Sequence, residues 1–163
     1  MAESRIRVDL HAQTLELFEG QRRLARYPVS TARNGPGEAK DSEKTPRGLH
    51  QVRAKIGAGA APGTVFAGRR PTGEICTPEV FAADPERDWI LTRILWLSGL
   101  EKGRNRLGQV DTMQRYIYIH ATPDEANLGI PHSHGCVRMR NEDVIELFDA
   151  VEVGTRVEIV EGG

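Results

Sequence analysis

Residues 118–122 read Tyr118-Ile119-His120-Ala121-Thr122, and residues 133–138 read Ser133-His134-Gly135-Cys136-Val137-Arg138. A cysteine directly after glycine, with imidazoles nearby, is what a thiol nucleophile requires. A free cysteine titrates near pKa ~8.5, so little of it is thiolate at neutral pH until a base takes the proton, and histidine is the usual base. Gly135 has no Cβ and so permits a turn that points the amides of Gly135 and Cys136 toward one spot. Such amides hold the oxyanion formed when sulfur attacks a carbonyl, and losing one donor costs roughly 2.7–4 kcal/mol of transition-state stabilisation.

The same residues admit a second chemistry. His132, His134 and Cys136 alternate, so an extended segment puts all three on one face, and with His120 they supply the ligand types of a four-coordinate zinc site. The paired C-x-x-C and H-E-x-x-H spacings of common zinc sites are absent. An isolated buried cysteine or histidine is also an ordinary core residue. From the residues alone, both the nucleophile and the zinc reading stand.

The block 116–140 resembles the signature of the L,D-transpeptidase family, the YkuD-type catalytic domain. That signature is an apolar strand ending Ile-His-Gly-Thr, a short loop with a glycine, then Ser-His-Gly-Cys-(Ile/Val)-Arg. The chain matches at Ile119, His120, Thr122, Gly129 and each of residues 133–138, and departs at Ala121, where the family usually has glycine or serine. Tyr27-Pro28-Val29-Ser30-Thr31, the later Thr45-Pro46-Arg47-Gly48, and Val153-Gly154-Thr155-Arg156-Val157 follow the family's order as well. About two thirds of the chain is covered in this way. Residues 53–111 are less characteristic and are expected to shape the substrate cleft.

The resemblance implies a mainly β single domain over residues 1–163, a sandwich or partly closed barrel with a few short helices and the site at the end of a sheet. It implies Cys136 as nucleophile and His120 as base, the His120 ring being oriented by the only group Ala121 offers, its backbone carbonyl. His134, Gly135 and Cys136 would shape the oxyanion hole through their amides. Ser133 is assigned to the substrate side with a hydrogen bond inside the motif, and Arg138 either meets a substrate carboxylate or braces the loop. His132 reads as a rim residue, and His11 and His50 as not catalytic. The implied substrate is the peptidoglycan stem, attacked at the third residue with loss of the terminal D-alanine and formation of a thioester. Neither a cofactor nor a metal is called for.

Net charge is −1, which speaks against nucleic acid or an anionic membrane surface as partner. The expected partners are stem peptides or muropeptides. Arg22-Arg23 and Arg69-Arg70 read as solvated pairs. The N-terminal residues show no apolar h-region, and the run Ile94-Leu95-Trp96-Leu97 is far shorter than the ~20 residues of a spanning helix. A disulfide between Cys76 and Cys136 would silence the nucleophile, so a reducing compartment is the simpler reading. The expectation is a cytoplasmic L,D-carboxypeptidase of peptidoglycan recycling. An exported, cross-linking L,D-transpeptidase is the alternative, a zinc hydrolase the reading from another class, and a non-catalytic wall-binding module has no use for the cysteine and histidine pair.

Alternation of Ile6, Val8 and Leu10, of Leu15 and Leu17, and the run 24–29 predict an antiparallel meander. Loops are expected at residues 34–44 and 57–63, strands at 90–97, 116–120 and 156–160. Thr77-Pro78 predicts a short helix through Ala83 that Pro85 closes. Asn141 is expected to cap a second helix, with Val144, Ile145, Leu147, Phe148 and Val151 as its buried stripe.

Overall fold

The computed structural model describes residues 3–162. The predicted meander is present as β1 (Ser4–Asp9), β2 (Thr14–Glu19) and β3 (Arg22–Pro28). Its register sets Ile6 opposite Leu17 and Val8 opposite Leu15, and all four side chains are buried, so the alternating face joins the core. The last strand, β10 (Arg156–Val160), lies parallel to β1 and antiparallel to β4 (Gly48–Ile56), which ties the two ends of the chain together.

β7 (Leu91–Gly99) is the centre of the sheet. It pairs with β4, with β5 (Thr64–Ala67) and with β8 (Tyr118–Ala121). β6 (Arg70–Ile75) extends the β5 side, and β9 (Val137–Met139) lies parallel to β8. The fold is mainly β as expected, and the sheet stays open, with β3 and β6 at the ends of its path and β8 and β9 branching from β7.

A parallel pair needs a crossover of a dozen or more residues between its strands. Residues 122–136 form that crossover, and so the cysteine at the entry to β9 comes onto the strand next to the one that carries His120, although the two are distant in sequence.

α1 (Pro78–Ala83) begins as predicted, the Thr77 hydroxyl accepting from the Val80 amide at 3.2 Å. α2 (Asn141–Ala150) buries Val144, Leu147 and Phe148 against β7 and β8. Each such side chain contributes about 1.5–3 kcal/mol. The cap differs from expectation. Arg140, with extended backbone, holds the N-cap position, while Asn141 is the first helical residue and its Oδ1 accepts from the Thr92 hydroxyl. Glu142 and Asp143 in the first turn still complement the helix dipole.

Two strand boundaries also move. The strand expected from residue 116 starts at Tyr118, because Tyr116 has φ +56° and turns the chain aside. The strand expected at 90–97 runs Leu91–Gly99. Among the described residues no helix is long and apolar enough to cross a membrane.

Candidate active site

The parallel register of β8 and β9 builds the site. Ile119 pairs with Val137 and His120 with Arg138, which places Cys136 beside Tyr118. Side chains alternate along a strand, so Tyr118 and His120 on one strand share a face with Cys136 and Arg138 on the other.

His120 is fully buried. Its Nδ1 lies 2.7 Å from the Ala121 carbonyl, which can only accept, so Nδ1 carries the proton and Nε2 presents its lone pair. Nε2 has no hydrogen-bond partner in the protein. A buried, unpartnered polar atom costs stability and calls for a functional reason. Burial holds the imidazole well below the usual histidine range, with Arg138 acting in the same direction and Asp88 and the Ala121 carbonyl opposing. His120 is therefore a neutral base at neutral pH.

The Cys136 thiol donates to the Tyr116 carbonyl at 3.4 Å and accepts from the Tyr118 amide at 3.3 Å. Burial pushes the thiol up from its ordinary value, Asp88 adds to this, and the Tyr118 amide, Arg138 and Arg115 oppose it. At rest the pair is thiol and imidazole rather than thiolate and imidazolium. The Tyr118 amide and the two arginines are in place to stabilise negative charge on sulfur when the proton moves.

Gly135 has φ +133°, and a Cβ there would lie 3.1 Å from Ile117 Cδ1 and 3.3 Å from the Lys44 carbonyl oxygen. The positive φ favours glycine, and a side chain there would also crowd both neighbours. Its amide, expected to face an oxyanion, instead donates to the Ser133 hydroxyl at 3.2 Å. Its carbonyl accepts from Thr45 Oγ1 at 2.9 Å, and Arg115 donates to the Lys44 carbonyl at 2.6 Å, so the loop before Thr45 is clamped behind the nucleophile turn.

Ser133 is buried, and its hydroxyl donates to the Cys136 carbonyl at 2.6 Å. It braces the turn from inside, through the hydrogen bond expected within the motif. Arg138 is 8 % exposed and donates to Asp88 at 3.2 Å and to the His132 carbonyl at 3.4 Å. Of its two expected roles, bracing is the one the geometry shows.

His134 is exposed at the rim, 3.9 Å from the Asp88 carboxylate. His132 turns away to Arg33 (3.0 Å) and Asp124 (3.8 Å). The turn at Gly135 thus breaks the extended segment on which the zinc reading depended, and among the described residues no three His, Cys, Asp or Glu side chains converge as metal ligands. His50 is buried between the Gly48 carbonyl and Thr112, and Cys76 is a free thiol at the start of the link to α1.

Above Cys136 opens a cleft of about 420 Å³ walled by Arg69, Asp88, Arg115, Tyr116, Tyr118, His134 and Arg138, among others. The family model of the YkuD L,D-transpeptidase catalytic domain matches residues 3–159. The chain belongs to this family. YkuD of Bacillus licheniformis is 27 % identical over 155 residues, which is 95 % of this chain and 64 % of that protein. YbiS of Escherichia coli K12 is 49 % identical over 47 residues, 29 % of this chain and 15 % of YbiS. Among solved structures, an L,D-transpeptidase from Mycobacterium smegmatis superposes with a TM-score of 0.57 at 22 % identity, covering 98 % of this chain and 59 % of that one. L,D-transpeptidase 3 of Mycobacterium tuberculosis, solved with a faropenem-derived adduct, gives 0.61 at 16 % identity, covering 97 % and 60 %. The chain therefore spans less than two thirds of the length of these relatives.

Against the family motif, Asp88, Arg115, Tyr116, Tyr118 and Arg69 are site residues that sequence reasoning missed. None lies inside a quoted motif as a reactive side chain. The Tyr118 contribution to the sulfur is a backbone amide, which carries no signal in the residue type.

Proposed function

We propose that this L,D-transpeptidase-family chain acts on peptidoglycan tetrapeptide stems as an L,D-carboxypeptidase, with Cys136 as the acylated nucleophile. The observation that carries the reading is the buried, unpartnered Nε2 of a δ-protonated His120 on the same strand face as Cys136, below the cleft. The Cys136 proton passes to Nε2 as sulfur bonds to the carbonyl carbon of the third residue. Collapse of the tetrahedral adduct breaks the C–N bond, and the departing D-alanine amine takes the proton from Nε2. His120 then removes a proton from water, which attacks the thioester, and the thiol leaves with that proton.

Water is the acceptor in this reading because a carboxypeptidase needs only the stem and water, whereas cross-linking needs the amine of a second stem as well.

A family relative has been solved in complex with imipenem. A carbapenem presents a strained carbonyl to the same sulfur, so incubation should add one drug mass to the wild-type chain and none to Cys136→Ala in intact-protein mass spectrometry. An unmodified wild-type chain after long exposure to excess drug contradicts the proposed nucleophile.

A further inference from the structure

Two tyrosines of the cleft wall, with Trp96 behind them, hold one arginine. Arg69 lies in the two-residue turn between β5 and β6, where Gly68 and Arg69 have φ of +55° and +65°. This is the backbone of a type I′ hairpin turn, and glycine takes the second position without strain. The arginine there is held by its side chain. Its guanidinium carbon sits 4.8 Å from the Trp96 ring centre and 4.9 Å from that of Tyr116, and it donates to the Tyr118 hydroxyl at 3.1 Å. Trp96 packs edge-on against Tyr118 at 6.0 Å and against Tyr116 at 6.1 Å. Tyr116 also holds a left-handed φ of +56°, so two strained residues meet at one point of the cleft.

The other two arginines of the cleft are occupied. Arg115 donates to the carbonyls of Gly37, Glu38 and Lys44, and Arg138 pairs with Asp88. Among the described residues, Arg69 has the Tyr118 hydroxyl as its side-chain polar partner and no carboxylate, which leaves most of a five-donor fork open to the cleft. A planar fork of this kind fits a carboxylate in two-point fashion.

Tyr118 sets the distance. Its amide touches Cys136 Sγ and its hydroxyl touches Arg69, so the guanidinium lies one tyrosine side chain from the attacking atom. In an extended substrate with its carbonyl at Sγ, the next carboxyl group lies about 3.5 Å further along the chain. We propose that Arg69 is the specificity-determining residue that binds the free C-terminal carboxylate of the residue following the attacked carbonyl. This inference rests on the acyl-transfer reading and names the residue that holds the leaving group's carboxylate.

The test is calorimetric binding to the Cys136→Ala protein of two peptides, a stem tetrapeptide ending in D-alanine and the same peptide as its carboxamide. With Arg69 present, the carboxylate form should bind about tenfold or more tighter, the range of a charge-assisted hydrogen bond. Added to that background, Arg69→Gly and Arg69→Gln should both bring the two affinities together by weakening the carboxylate form, and Arg69→Gly should melt no lower than its parent because glycine suits the turn. A preference that persists in both variants, or equal weakening of both peptides, overturns the subsite. D-alanine release by the wild type is read separately. Release without carboxylate preference defeats the subsite alone, and preference without release defeats the acyl-transfer reading alone.

Discussion

At the residue scale, the proposed mechanism turns on the difference between His120 and the nearby histidines. His120→Ala should lower kcat by about 10²–10⁴, while His132→Ala, whose ring faces Arg33 and Asp124, should change it less than about threefold, since surface changes away from the chemistry have small effects. Equal losses in steady-state D-alanine release would contradict this division of roles. The pH dependence follows from the partly buried thiol and the fully buried imidazole. Burial raises the thiol and lowers the imidazole, so the resting enzyme holds little thiolate at neutral pH. With the thiol pushed up to about 12, alkylation of Cys136 by iodoacetamide should rise steadily with pH and show no plateau at pH ~8.5, the ordinary thiol value. Turnover, which needs neutral His120, should hold as pH falls through ~6.5 and be lost below that, where the lowered imidazole finally protonates. An alkylation rate already at its plateau by pH 7 would mean a preformed ion pair.

At the element scale, the parts of the fold with one buried face were legible in the sequence and the parts without one were not. β1 and β2 alternate because Ile6, Val8, Leu15 and Leu17 point into the core, and α2 shows its stripe for the same reason. Every residue of β6 is exposed and the strand contains Pro71 and Gly73, so no periodicity marked the hairpin that carries Arg69. The Asn141 cap failed because its side chain is taken by Thr92, a contact between elements that no local pattern encodes. The motif located Cys136 and His120, but the direction of each amide depends on the turn. Gly135→Ala tests that turn. The added Cβ meets Ile117 and the Lys44 carbonyl while φ is held at +133°, so the melt should show a loss of about 1–3 kcal/mol. The displaced Cys136 should also lose activity at least tenfold, the consequence of moving a reacting atom by about 1 Å. An unchanged melt and rate would show that the turn is not fixed as described.

At the scale of the molecule, one open sheet brings together the parallel pair at which the proposed nucleophile and base lie, the exposed hairpin on one side of the cleft, and the crossover on the other. The chain contains the catalytic domain of its family and spans about three fifths of the solved chains it resembles. The proposed acceptor is water, and product analysis separates it from a second stem. The deciding experiment mixes purified protein with a defined tetrapeptide, with and without an acceptor stem, and follows free D-alanine, tripeptide and cross-linked dimer over time. The expected result is equimolar D-alanine and tripeptide, little dimer, and no product with Cys136→Ala. Release of D-alanine by Cys136→Ala, or dimer accumulating faster than tripeptide in the wild type, would contradict the proposed nucleophile and acceptor respectively.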